Sequence, residues 1–429
     1  LRLSIMSGAG HRLNDTMTGN IMSKKTLLAT LIIGLLSGQA YAAPYLPQAN
    51  DHRNGQEFAA ANAWLEVNVT TFERNIQTLK ERLGEKGPQI CAIMKADAYG
   101  HGIDLLIPSV VKAGIPCIGI ASNEEARVAR EKGFEGRLMR VRAASPQEVE
   151  AALPYKMEEL VGSLESARLM AEIAQRHHTT IAYHLGLNSA GMSRNGLDLR
   201  QDNAKQDALD LLKLKGLQVV GIMTHFPVEE KEDVKQGFAQ FQLDTQWLIA
   251  AGKLDRSKLT LHCANSFTTL EVPQAHLDMV RPGGILYGDT IPSYTEYQKV
   301  MTFKTRVASV NHYPQGNTVG YDRTYTLKRD SLLANLPLGY SDGYRRALSN
   351  KAYVLVGGQK APVVGKTSMN TIMVDVTDIK GVKPGDEVVL FGRQGNAEVK
   401  QADLEEYNGA LLADMYTIWG YTNPRIITR

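Results

Sequence analysis

Lys95 stands at the end of an apolar run, Ile-Cys-Ala-Ile-Met (90–94), and is followed at once by Ala-Asp-Ala-Tyr-Gly-His-Gly (96–102). A lysine at the mouth of a buried strand loses hydration, which lowers the pKa of its amine toward what a Schiff-base lysine needs. A lysine that only snorkels out of a strand end has the same local sequence, so the rest of the chain must separate the two readings. Other chemistry-bearing residues recur at the ends of apolar runs: Tyr99; Arg140 and Arg142; His184, then Asn188, Arg194 and Asn195; Thr224 and His225; Asn265 and Ser266; and Arg281, then Gly283 and Gly284. This set suits a phosphorylated aldehyde cofactor. Lys95 supplies the imine nitrogen, while Ser266 and the Gly283-Gly284 backbone offer donors to a phosphate. Singly the signals are weak, since Gly-Gly is usually a turn and His225 alone reads as a satisfied core histidine. No Cys/His/carboxylate set has ligand spacing, so no metal is expected.

Something must bring these strand ends to one rim. From residue 70 apolar runs alternate with amphipathic stretches. Strands are expected at 89–95, 116–121, 137–143, 159–162, 180–185, 218–224, 259–262 and 279–286, with helices between them, one of them capped by Asn123. Eight strand–helix units with nearly all-apolar strands predict an α/β fold, a (β/α)8 TIM-type barrel over 70–295 whose chemistry sits at the C-terminal strand ends. Beyond residue 295 short β-branched runs at 304–310, 352–356, 362–366, 371–376 and 387–391 are punctuated by Gly- and Pro-containing turns, which predicts a mostly β domain over 296–429 closed by a helix near 408–419. The segment 43–69 carries one more strand, 64–69, expected to join that domain.

Length and composition fit this plan. The 429 residues are 43% hydrophobic and 22% charged, ordinary for a globular enzyme and too apolar for a disordered chain. Residues 1–42 are expected to lie outside the mature protein. Met22-Ser-Lys-Lys is a basic start, 27–36 a short apolar core and Ala40-Tyr-Ala42 a small-x-small cleavage site, which predicts a secretion signal cut after Ala42 and a periplasmic location. The apolar core is too short to span a bilayer comfortably, so no membrane span is expected in the mature chain. The residues before Met22 read as upstream sequence. The formal charge of +3 is carried by the leader (Arg2, Arg12, Lys24 and Lys25 against Asp15), leaving a neutral mature chain with no nucleic-acid-binding face. Cys91 and Cys117 fall near the starts of consecutive predicted parallel strands, which run about 4.8 Å apart, within reach of a disulfide. Buried free thiols are the alternative; export to an oxidising compartment favours the bridge.

Met94-Lys-Ala-Asp-Ala-Tyr-Gly-His-Gly102 resembles the cofactor-lysine motif of the alanine racemase family. So, in order, do Thr224-His-Phe226, Cys263-Ala-Asn-Ser266, Val280-Arg-Pro-Gly283, Val319-Gly-Tyr-Asp322, Leu338-Gly-Tyr-Ser-Asp-Gly-Tyr344 and Ser368-Met-Asn370. The resemblance implies pyridoxal 5'-phosphate (PLP) on Lys95, with Lys95 the base on one face of the substrate Cα. Tyr321 would be the base on the other face, reaching across the interface of a head-to-tail homodimer. It also implies Arg281 at the pyridine nitrogen, buttressed by His225, with Tyr99, Ser266, Gly283, Gly284 and Tyr416 at the phosphate and Asn265 beside them. Arg194 and Met369 would contact the substrate carboxylate region, with Asn188 and Asn195 nearby. Spacing alone makes Tyr321 a cross-strand aromatic; only the motif gives it a proton to move, and a phenol with a reference pKa near 10 then needs cationic neighbours such as Arg194.

The departures narrow the expectation. Alanine racemases commonly carry Lys-Val-Asp-Thr-Gly-Met-Gly-Arg, whose lysine can be carbamylated, where this chain has Leu187-Asn-Ser-Ala-Gly-Met-Ser-Arg194. Asn188, or a bound anion such as chloride near Arg194, is expected in the lysine's place. Ser368-Met-Asn370 stands for the commoner Cys-Met-Asp. With the leader and small Gly186 and Ala190 flanking the site, the chain resembles the periplasmic broad-specificity amino-acid racemases, including those acting on lysine. A strict alanine racemase, a PLP-binding homeostasis protein without racemase activity, and a PLP decarboxylase or aldolase are the alternatives.

Overall fold

The computed structural model describes residues 60–429; the leader and its cleavage site lie outside the described residues. Eight parallel strands follow one another in the expected order: β2 (Gln89–Ile93), β3 (Cys117–Ile120), β4 (Arg137–Arg140), β5 (Met157–Val161), β6 (Ile181–Gly186), β7 (Leu217–Met223), β8 (Thr260–His262) and β9 (Met279–Val280), the last shorter than the 279–286 expected because Pro282 and Gly283 break it and a helix runs over Gly284–Tyr287. They lie in the order β8-β7-β6-β5-β4-β3-β2-β9. Backbone bonds from Asp278 N to Leu261 O (3.1 Å) and from Arg281 N to Ala264 O (2.8 Å) bridge the seam between β8 and β9. The result is a TIM-type barrel. Strands such as β3, Cys-Ile-Gly-Ile, are buried at every position because the barrel interior takes one face and the helices the other. Within the barrel Cys91 pairs with Cys117 in register and the two are joined by a disulfide with Cα atoms 4.3 Å apart.

The remaining strands build the β domain. A seven-stranded sheet runs β16 (Gln359–Pro362), β15 (Tyr353–Val356), β18 (Glu387–Gln394), β10 (Met301–Arg306), β1 (Ala63–Asn68), β20 (Arg425–Thr428), with β19 (Ala397–Val399) on β18. A three-stranded sheet of β11 (Ser309–Tyr313), β14 (Ser331–Leu336) and β17 (Ile372–Asp375) packs with it. The first described strand thus belongs to the sheet of the C-terminal domain: β1 pairs antiparallel with β10 and parallel with β20. Trp419 is fully buried at the core of this domain, its ring 5.0 Å from Phe303 and 5.7 Å from Phe391, with its indole N–H donated to Gly343 O.

Several local expectations change. The closing helix is two helices, Gln401–Asn408 and Ala413–Thr422, because Gly409 at φ 71° caps the first in a conformation that an L-residue avoids. The run at 304–310 divides between β10 and β11, which enter different sheets. The strand expected at 362–366 lies earlier, at Gln359–Pro362, because Gly357 and Gly358 make a tight turn that pairs Val356 directly with Gln359. Ser122, not Asn123, caps the helix Asn123–Glu131, in a capping box with Glu125.

Candidate active site

The strand carrying Lys95 stops at Ile93, and the chain then does something its composition hides. Ala96, Asp97, Ala98 and Tyr99 all have φ between 53° and 55°, so the lysine is followed by one left-handed turn. Left-handed backbone costs an L-residue about 1–2 kcal/mol, and the surroundings hold the turn in place. Asp97 N donates to Glu125 Oε1 (3.0 Å), Ile103 N donates to Asp97 Oδ1 (2.8 Å), and Asp97 forms an ion pair with Arg425 of β20. Helix Ala413–Thr422 closes on the other side: a Cβ on Gly100 would lie 2.2 Å from Tyr416 O, and one on Gly420 2.1 Å from Gly100 O. Both positions must be glycine for this approach. Lys95 itself opens into a cavity, where desolvation, followed by the charges of Arg194 and Arg281, lowers its amine pKa.

That cavity, of about 1200 Å³, is lined by Lys95, Tyr99, Arg194, Asn195, His225, Asn265, Ser266, Arg281, Gly283, Gly284 and Tyr416. On one side Arg281 is buried and clamped. Its Nη1 donates to His262 Nδ1 (2.7 Å), and its Nη2 to Thr224 O (3.1 Å) and His225 Nδ1 (3.3 Å). His225 is neutral: burial, then the charges of Arg281, Arg194 and Lys95, push its pKa down to about 3. Burial also brings Arg281 down to about 10, so it keeps its proton at neutral pH.

On the other side the backbone is arranged for an anion. Ser266 Oγ accepts from Gly283 N (3.0 Å) and Ile285 N (3.2 Å). A Cβ on Gly283 would sit 2.1 Å from Tyr99 Oη, so only glycine leaves this cradle open. Asn265 caps the helix Ser266–Glu271 through Thr268 N (2.9 Å). Tyr99 stacks on Tyr287 at 4.7 Å, and burial raises its pKa, so its phenol stays a neutral donor. Tyr416 donates to Asp289 Oδ2 (2.7 Å). The Tyr99 phenol, the Ser266 hydroxyl proton and the Gly284 N–H fit a phosphate, with Tyr416, held by Asp289, beside them, and Lys95 with Arg281 fits the aldehyde and ring of the same cofactor.

Three expected site residues are elsewhere. Tyr321 and Met369 sit on the β domain, 65% and 55% exposed, and do not line this cavity. Tyr321 follows Gly320 (φ 72°) at the tip between β12 (Thr318–Val319) and β13 (Tyr325–Thr326), where Asp322 pairs with Lys366. Asn188 is buried and committed to its own loop: its Oδ1 accepts from Ser193 N (2.6 Å), and its Nδ2 donates to Ser193 Oγ and Asp198. It therefore shapes the loop that presents Arg194 rather than facing the cavity. Arg140, by contrast, belongs to the cavity wall, but it is held in an ion pair with Glu159 (2.6 Å) and bonds to Asn123 and Ala121 O, a structural role. Residues that spacing alone does not single out are His262, Glu125 and Asp289. His262 directly precedes the Cys-Ala-Asn-Ser motif, which was the available signal.

Two family models cover nearly all of the described chain: alanine racemase, N-terminal domain, over residues 67–291, and alanine racemase, C-terminal domain, over 300–427. The chain belongs to the alanine racemase family. It is a PLP-dependent amino-acid racemase, an isomerase. A broad specificity amino-acid racemase of Aeromonas hydrophila is 81% identical over 408 residues, 95% of this chain and all of the relative. A lysine racemase of Proteus mirabilis is 46% identical over 93% of this chain and 98% of its own length. Among solved structures, the Bacillus anthracis alanine racemase with bound L-Ala-P superposes with a TM-score of 0.79 at 26% identity, over 86% of this chain and 95% of that one. The racemase-family fold thus supplies the lysine, the anion cradle and the clamped arginine from separate strands of one barrel rim.

Proposed function

We propose that this racemase interconverts L- and D-forms of a broad set of amino acids, including lysine, arginine and other non-β-branched ones, in the periplasm. The observation that carries the reading is the 81% identity, over 95% of the chain, to a relative named for broad specificity. The Cys91–Cys117 bridge supports an oxidising compartment. In this reading Lys95 carries PLP, with Arg281 at the ring nitrogen beside His225. Tyr99, Ser266, Gly283, Gly284 and Tyr416 hold the phosphate, with Asn265 next to them; Arg194 and Asn195 border the substrate carboxylate, and Met369, outside this chain's own cavity, reaches that region from the other subunit of a homodimer.

Bound PLP supplies an electron sink for the charge that develops at the substrate Cα. The chain's own residues then divide the proton work. Lys95, whose amine pKa is lowered, takes or returns the Cα proton on one face. Tyr321 of one subunit of a homodimer does so on the opposite face in the other subunit's site; its exposure on a loop tip supports this. A racemase needs both faces served, because one base alone gives back the same enantiomer. Purified protein incubated with single L-amino acids tests the reading by optical inversion. Turnover of alanine alone, without lysine, arginine or methionine, replaces broad specificity with the strict alanine reading, which the 34% identical alanine racemase of Halothermothrix orenii favours. Wild-type inversion in both directions by Tyr321→Phe removes Tyr321 from the chemistry.

A further inference from the structure

Arg281 is the end of a longer chain of groups that runs through the barrel interior. His262, which accepts from Arg281 at Nδ1, lies with its Nε2 2.8 Å from His184 Nδ1. His184 Nε2 lies 2.8 Å from Glu158 Oε2. Arg137 grips the same carboxylate, its Nε on Oε1 (2.9 Å) and its Nη2 on Oε2 (3.0 Å). Arg137 is the first residue of β4 and Glu158 the second of β5, so this end of the chain lies at the opposite mouth of the barrel from Lys95. Both histidines are fully buried. Room for the first is made deliberately: a Cβ on Gly221 of β7 would lie 2.2 Å from His184 Nδ1.

The two ends of this chain fix the direction of every bond between them. An arginine only donates, and an ionised carboxylate only accepts. Burial raises the Glu158 pKa, but the bonds from His184 and Arg137 outweigh that and bring it down to about 2, so it is ionised. His184 must then donate from Nε2 and accept at Nδ1. His262 must donate from Nε2, leaving its Nδ1 lone pair for Arg281. Both rings are neutral, and burial lowers the pKa of each.

We propose that Glu158 and His184 are positioning residues for the racemase reaction: from the far mouth of the barrel they fix the tautomer of His262, and so hold Arg281 in the orientation that it presents to the cofactor ring. The inference rests on the reading above that Arg281 is the partner of the ring nitrogen. Glu158 also sets what cannot replace it. In Glu158→Gln the amide NH2 takes either the Oε1 place, against Arg137 Nε alone, or the Oε2 place, where it faces His184 as well as Arg137, and both of those are donors. When it faces His184, the sequence reverses and His262 turns an N–H toward Arg281, a clash of donors in a dry site.

Imidazole ¹⁵N spectra of histidine-labelled protein, taken with and without PLP, read the tautomers directly. In the wild type His184 and His262, like His225, carry the proton on Nε2. In Glu158→Gln one or both of the first two should shift toward Nδ1–H. With PLP bound, kcat should fall about tenfold, the weight of one lost buried hydrogen bond, while KM for the amino acid is unchanged and the visible absorbance of the bound cofactor shifts. Glu158→Asp, still acceptor-only, should restore the tautomers and much of the rate. Unchanged tautomers together with an unchanged rate in Glu158→Gln, or equal losses in the Gln and Asp variants, overturn the proposal. Arg281→Lys separates it from the reading on which it rests. If that variant leaves the cofactor absorbance as it was, Arg281 is not the ring partner. If it alters the absorbance while Glu158→Gln alters neither absorbance nor tautomers, only the role of Glu158 and His184 falls.

Discussion

Gly100→Ala is the sharpest test of how the lysine is held. Gly100 ends the left-handed turn at φ 75°, and an added Cβ would lie 2.2 Å from Tyr416 O and 3.0 Å from Thr417 Cα. Both are backbone atoms of a helix, so no side chain can swing aside. To reach ordinary contact the turn and the helix must part by about 1 Å. Strain at positive φ adds about 1 kcal/mol and overpacking about 1–3 kcal/mol. The displaced pieces carry Lys95 on one side and Tyr416 on the other, and a 1 Å misplacement costs about 100-fold in rate. Gly114→Ala is the matched control, because Gly114 has φ 65° with nothing within 4 Å of the new Cβ. It should lose about 1 kcal/mol of stability and no activity. Urea unfolding gives the stabilities, and optical inversion of a fixed amino acid gives kcat/KM. If the two alanine variants are equally active, the close approach of helix Ala413–Thr422 does not position the lysine.

Three further outcomes follow from the same geometry. Glu159→Gln leaves Arg140, with a side chain 0% exposed, as a buried uncompensated charge and should cost about 3–5 kcal/mol, while Arg140→Leu combined with Glu159→Leu should cost less; chemical unfolding of the three proteins decides it. Replacing Cys91 and Cys117 together by alanine opens a link across 26 residues and should lower stability by about 3 kcal/mol, read as a shift in the urea midpoint. Folded His225 takes a proton only near pH 3, whereas in the unfolded chain it does so near 6.5. Between those values the unfolded state binds more protons, so stability should fall as pH drops below about 6.5. His184 and His262, also lowered, act in the same direction. A thermal midpoint flat from pH 7 to 4 contradicts this.

The barrel and its rim chemistry are legible in the sequence because apolar runs end repeatedly in polar or glycine residues, and a parallel barrel sends all such ends the same way. Lys95, Ser266, Arg281 and Gly283 line one cavity for that reason. The turn after the lysine is not legible, since Ala-Asp-Ala-Tyr carries no preference for positive φ and is held there by Glu125, Arg425 and Gly420 from distant parts of the chain. The line from Arg281 to Arg137 is hidden for a related reason. Its members lie on five strands or strand ends, and only the stagger of the barrel brings them into sequence. Asn188 misleads because polarity near a site does not reveal whether a side chain is already taken by its own loop.

The placement of β1 sets an order of events for the newborn chain. Residues 63–68 leave the ribosome first among the described strands, yet their backbone partners are β10 and β20, and Leu65 N waits for Pro424 O (2.8 Å) at the far end. No chain that lacks residues 425–428 can satisfy that strand, so the C-terminal sheet, and with it the Arg425 brace on the lysine turn, is completed only once they have been made. A polypeptide built this way stays short of its native state until that last strand is made, and before then its first strand is an unpaired edge.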